Sequence, residues 1–165
     1  MNKIKIRGTI TIDIIDVKTK NLIKSIEVYN QIVTNGFKMF RNWSAGITPI
    51  EDTTYNVDSR ITDFAVGDND SATGVSQTAL GNELLRKEIF PTPDAGCEIN
   101  LIDDQTVEYV ILIDESELNG ETIEEMGLFS TNQANPFMIS RFLTGSLSKT
   151  SAIQFVIKYK YKFEN

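Results

Sequence analysis

The side chains that most often run acid–base, nucleophilic or metal chemistry are sparse here, and their spacing decides what they could do. There is no histidine among the 165 residues, which removes the commonest general base near neutral pH and the usual activator of a nucleophile. Cys97 is the single cysteine, so no internal disulfide and no cysteine zinc cluster can form. It lies between Gly96 and Glu98, and a neighbouring carboxylate raises a thiol's pKa and disfavours the reactive thiolate. Glu115, Glu117, Glu121, Glu124 and Glu125 crowd one stretch. Two well-placed carboxyls suffice for a glycosidase, but this mutually repelling run, with no sign of an apolar pocket, reads as a solvated turn. Gly67-Asp68-Asn69-Asp70 opens like a calcium loop, yet Ala72 stands where the next ligand is needed. Gly74 and Gly81 are too far apart for a phosphate-cradling loop. No catalytic residue, cofactor or metal ligand is expected.

Charge narrows the partners. Lys and Arg number 16 and Asp and Glu 23, a net charge of −7 with a pI near 4.6. Such a surface repels phosphates at long range, so nucleic acid is not an expected partner. The basic residues gather at the two ends, with Lys3, Lys5 and Arg7 at one and Lys158, Lys160 and Lys162 at the other. The last three share one strand face and are candidates for an interface with an acidic protein, for plain solvation, for guarding a sheet edge or, least of all, for meeting DNA. Trp43 and Phe137 lie outside the cleanest apolar stripes and are the candidate aromatic anchors of an interface. Tyr55-Asn56-Val57-Asp58 is the stretch most like a sugar-binding one. The N-terminus alternates basic residues with isoleucine and lacks the apolar region of a signal peptide. No apolar run approaches the ~20 residues that span a bilayer. A soluble protein of a reducing cytoplasm is expected, without membrane contact.

The elements that must carry these residues are mostly strands. Ile4, Ile6, Ile10, Ile12 and Ile14 alternate with polar residues, the period of a strand with one dry face. A polar turn over 16–21 leads into a second strand, Leu22 to Asn30, with Ile26 and Val28 on one face, predicting a hairpin. Thr34 or Asn35 should cap a short helix carrying Phe37, Met39, Phe40 and Trp43, with Val33, Phe37 and Phe40 as one stripe. The stretch 48–59 reads as a loop. Ile61 to Val66 reads as a buried strand followed by a loop through Gly74. A turn of helix is expected over 78–85, then a strand to Phe90, ended by Pro91 and Pro93. Val107 to Ile113, Ile123 to Phe129 and Phe137 to Leu143 add three strands. Ile153, Phe155, Ile157, Tyr159, Tyr161 and Phe163 define the last, whose aromatic face should anchor the core. The result is a mainly β protein: an antiparallel β-sandwich or open barrel of about seven to nine strands with one short helix.

Two blocks resemble a known family. The first is Ile61-Thr62-Asp63-Phe64-Ala65-Val66-Gly67-Asp68, followed by Gln77-Thr78-Ala79-Leu80-Gly81-Asn82-Glu83-Leu84-Leu85-Arg86-Lys87. The second joins Val107 to Ile113 with Ile123-Glu124-Glu125-Met126-Gly127-Leu128-Phe129, and a strand from Phe137 to Arg141 follows. Their order is similar to that of the tail-collar fibre domain, the virion-attachment module of phage tail-fibre proteins, over roughly Ile61 to Phe163. The resemblance implies one attachment domain over 1–165, with an N-terminal hairpin and helix over 1–45 and a core over 61–163. It implies a tail, collar or baseplate adaptor in a virion assembled in the host cytoplasm. Its partners would be other virion proteins (tail, collar, portal-proximal or fibre subunits) and further copies of itself in a symmetric assembly. Fibre proteins carry a shaft and receptor-binding tip beyond this module, so the resemblance leads us to expect attachment to the virion rather than host-receptor recognition. The shared Gly67 and Gly127 are expected to permit close backbone approach or a positive φ, and Glu83 with Arg86 to brace a short segment at helical spacing. A receptor- or glycan-binding module, a capsid decoration protein and a small cell-wall hydrolase are the competing readings.

Overall fold

The computed structural model describes residues 5–44, 60–132 and 135–164, and the side chains of 42–44, 131–132 and 135–137 lie outside the described set. The strands are β1 (Lys5–Asp16), β2 (Leu22–Tyr29), β3 (Gln31–Ile32), β4 (Asp63–Gly67), β5 (Glu83–Glu88), β6 (Glu98–Asp103), β7 (Thr106–Ile113), β8 (Thr122–Asn132), β9 (Asn135–Ser148) and β10 (Ile153–Glu164), with one helix, α1 (Thr34–Ser44), after β3. They form two five-stranded antiparallel sheets, ordered β2-β1-β10-β7-β6 and β3-β9-β8-β4-β5. The fold is a β-sandwich, and neither sheet closes into a barrel.

The alternation in β1 and β10 builds the first sheet directly. The two strands pair antiparallel from Lys5↔Glu164 to Asp16↔Ile153, so Ile10 and Ile12 line up with Tyr159 and Ile157, all fully buried. Ile111 and Ile113 of β7 extend the same face. Against it pack Phe64, Val66, Met126, Leu128, Ile139 and Phe142 of the second sheet. Each such aliphatic or aromatic side chain contributes roughly 1.5–3 kcal/mol relative to exposure.

The second sheet is covered on both faces, which explains why all five residues of β4 are buried. Behind it Val33, Ala65, Leu80, Phe129 and Met138 form a smaller core, closed by the segment between β4 and β5. Helix α1 seals one side of the sandwich: Phe40 meets Tyr161 and Phe163 edge-on, with ring centroids 5.4 and 5.9 Å apart.

Several expectations need correction. Residues 78–85 make no helix; the segment is irregular to Asn82 and then enters β5. The register shift opposite Val66 and Gly67 marks a β-bulge at Leu84. That extra residue turns Glu83 to the same face as Arg86, so a pair that looks helical in spacing forms on a strand. β6 and the two-residue β3 bring the strands to ten. The Thr34 hydroxyl at the start of the helix donates to the Val75 carbonyl at 2.9 Å. Phe37 breaks the expected stripe: it is 55% exposed, while Met39 and Phe40 are buried.

Candidate functional site

The sequence motifs converge behind the second sheet. Glu125 on β8 and Arg141 on β9 lie on neighbouring strands, with Arg141 opposite Gly127. Arg141 Nε donates to Glu125 Oε2 at 2.6 Å, and both side chains are essentially fully buried. The guanidinium also donates through Nη1 to the Ser71 carbonyl at 2.8 Å and to Gln77 Oε1 at 3.2 Å, and through Nη2 to the Asn69 carbonyl at 3.2 Å. Glu125 Oε1 accepts from the backbone N–H groups of Gly81 and Asn82 at 2.8 and 3.1 Å. Gln77 Oε1 in turn accepts from the Gly74 N–H. A buried ion pair is tolerated only when its remaining donors and acceptors are satisfied, and here the irregular segment 68–82 supplies them.

Glycine makes the fit possible. A Cβ on Gly67 would stand 2.2 Å from the Asn82 carbonyl oxygen and 2.7 Å from Glu125 Oε1, and one on Gly127 would stand 2.9 Å from the Ser140 carbonyl. Close approach is therefore the reason for both glycines, and neither is among the positive-φ residues. Glu83 and Arg86 add a second brace: Arg86 donates to both Glu83 carboxyl oxygens, at 2.8 and 2.5 Å, and its guanidinium lies 4.1 Å from the centre of the Phe129 ring. The cluster is a staple. Its carboxylate is engaged by three donors.

The acidic turn also differs from its sequence reading. Glu125 is not solvated at all. Glu117 pairs with Lys87 Nζ at 2.7 Å, and the same buried lysine donates to the Leu112 carbonyl at 2.6 Å. Lys149, buried, donates to Asn119 Oδ1 at 3.3 Å and to its neighbour's carbonyl at 3.0 Å; burial holds its pKa below the usual lysine value, against the pull of Asp114, Glu117 and Glu115. Cys97 is buried too, and burial itself pushes its thiol up, with Asp94 and Glu117 adding to that and Lys87 opposing it. The adjacent Glu98 is not the cause.

The lysines of β10 are paired. Lys158 meets Asp13 at 2.8 Å, Lys160 meets Glu108 at 3.1 Å, and Lys162 meets Glu164 at 3.3 Å. They lie on the outward face of the central strand of the first sheet, so edge protection is not their role. The side chains of Trp43 and Phe137, and the whole of Tyr55-Asn56-Val57-Asp58, lie outside the described residues. Among the described residues no three His, Cys, Asp or Glu side chains converge to hold a metal ion, and no helix is long and apolar enough to cross a membrane.

Two features had no sequence signal. Tyr159 and Tyr161 both donate to Ser140 Oγ, at 2.5 and 3.1 Å, and Asn30 Nδ2 donates to the Tyr161 oxygen at 3.3 Å. This polar chain crosses the core, and burial raises both phenols well above or above their ordinary value. A shallow groove of about 510 Å³ lies outside it, lined by Tyr29, Asn30, Gln31, Phe37, Thr73 and Val75 among others, without a charged side chain.

Comparisons of the chain with protein-family models, with curated proteins and with solved structures return no match. Fold and site together define an antiparallel β-sandwich whose buried charged residues fasten loops to sheets.

Proposed function

We propose that this chain is a structural component of a tailed-bacteriophage virion, a tail, collar or baseplate adaptor that anchors fibres or neighbouring subunits, and not an enzyme. The observation that carries the reading is where the family-like residues sit. Gly67, Leu80, Glu125, Gly127 and Arg141 come from separate blocks of sequence and meet around one buried ion pair, with the Asn82 N–H bonded to it and the Glu83–Arg86 pair bracing its rim. Residues of that kind hold a scaffold rigid, which is what an adaptor in a symmetric particle needs, and they leave the surface free for neighbours.

The test is mass spectrometry of purified particles, with heads and tails separated. Recovery of the chain in the tail fraction is the expected outcome. Recovery in the head fraction would make it a capsid decoration protein, and absence from both fractions would overturn the virion reading.

A receptor- or glycan-binding role is the second reading, and the uncharged groove favours it. Exposed Tyr29 and Phe37 beside the amide of Gln31 match what a neutral sugar needs, an apolar ring face and an amide hydrogen-bonding group. A glycan array without a hit would remove it.

A further inference from the structure

The first sheet ends on β2 at one side and β6 at the other, and each has a single strand partner among the described residues. Because β2, β1, β10, β7 and β6 are joined by four antiparallel pairings, the two edge strands run in the same direction. Both carry exposed apolar side chains. Leu101 of β6 is 84% exposed, and Ile99 and Ile102 are open beside it; Tyr29 of β2 is 78% exposed, with Leu22 and Ile23 also open. Isolated exposed apolar residues are ordinary, but two edges uncovered among the described residues are an invitation to pairing.

Charge selects the partner. The β6 edge is acidic, with Glu98 at its start and Asp103 and Asp104 at its end, all exposed. The β2 edge is basic at both ends. Lys18, Lys20 and Lys24 surround its start, and Lys5 and Arg7 of β1 project past its finish, since β1 and β2 pair only from Thr9↔Tyr29 onward. Glu27 in mid-strand, Asp16 in the turn and Glu164, which lies opposite Lys5 and pairs with Arg7 at 3.2 Å, are the exceptions.

We infer that copies of this chain assemble edge to edge, β6 of one laid parallel to β2 of the next, continuing the first sheet from subunit to subunit. In that arrangement Asp103 and Asp104 at the acidic end of β6 face Lys5 and Arg7, while Glu98 lies level with Ser25, between Lys24 and Glu27. Ile99 and Leu101 are cross-strand partners of Tyr109 and Val107, so they lie on the core-side face and meet the neighbour's apolar row of Ile26 and Val28. Self-pairing of either edge fails on charge. An antiparallel β6–β6 contact sets Glu98 against Asp103, and β2–β2 turns the Lys18–Lys20 end toward Lys5 and Arg7; like charges placed so are destabilising. The contact is heterologous, so it generates a ring if the rotation closes and a filament if it does not. The inference rests on the reading of the chain as a repeated subunit, and it supplies the surface which that reading leaves open.

Sedimentation velocity of the purified full chain tests it. Wild type is expected to associate with rising concentration and to dissociate at about 1 M salt, where the Debye length is only about 3 Å. Leu101→Lys on the acidic edge and Tyr29→Glu on the basic edge should each weaken association more than about tenfold, with unchanged circular dichroism because both side chains are exposed. Mixed together, they should form a one-to-one dimer, because each retains the edge the other lacks. A wild type that stays monomeric, single variants that still associate, or a mixture that does not pair would each overturn the inference. The virion reading stands or falls separately, on the particle fractions.

Discussion

Arg141 shows how far one residue can reach. It ties β9 to Glu125 on β8 and, through backbone carbonyls at 69 and 71, to a segment some 70 positions away. Removing one member of a buried pair leaves the other charged and without its partner, at about 3–5 kcal/mol. Arg141→Met should therefore lower the urea unfolding free energy by about that amount, and amide exchange in 68–82 should accelerate most. Glu125→Gln keeps an acceptor for the Gly81 and Asn82 N–H groups but leaves the Arg141 charge buried without its carboxylate, so it should cost a comparable amount. The sequence shows Glu125 inside an acidic run and Arg141 in an apolar strand; nothing local reveals that they meet. Lys87 and Lys149 were hidden in the same way, because each is buried by partners on other elements.

Among the elements, legibility followed burial on one face. β1 and β10 have a dry side and a wet side, so their period of two is written in the residue types. β6 was missed because its apolar residues have no cover among the described residues, and Ile99 and Leu101 flank a polar Asn100. The helix expected over 78–85 failed for a different reason: a bulge gives Glu83 and Arg86 a shared face without a helical turn. Helix α1 was legible in extent but not in orientation. Phe40→Ala should cost about 3–5 kcal/mol, since it empties the space against Tyr161 and Phe163, whereas Phe37→Ala should stay within about 0.5 kcal/mol. Paired chemical-denaturation curves decide this, and equal losses would contradict the exposure of Phe37.

The whole molecule should be most stable at intermediate pH. At Asp13 burial works upward, but the bonds from Lys158 and Ser25 and the Lys158 charge outweigh it; at Asp114 the hydroxyl and N–H of Ser116 pull the pKa down. A depressed folded value contributes stability that is present above the usual 3.8 and is lost as pH falls through the folded value. Tyr159 and Tyr161 are raised by burial, so their contribution is complete below the usual 10 and is lost as pH climbs above it. Lys149, held low by burial, adds stability with rising pH only up to its usual 10.5, so the alkaline decline belongs to the tyrosines together with Cys97, whose thiol burial raises from its usual 9.0. Urea midpoints measured across pH should show a plateau with a fall at each end, and the alkaline fall should coincide with tyrosinate absorbance. An alkaline limb unchanged in Tyr159→Phe would count against this origin.

By itself the sequence determined the class of fold, the faces of β1, β7 and β10, and the absence of any histidine-based chemistry. These are properties of residue type and near-neighbour spacing, and period-two burial prints them on the chain. Only the tertiary structure decided that Glu125 and Arg141 are partners, that the β10 lysines sit mid-sheet beside Asp13, Glu108 and Glu164, and which strands are edges. A charge's environment and a strand's neighbours are set by residues distant in sequence, and a local pattern carries no record of them.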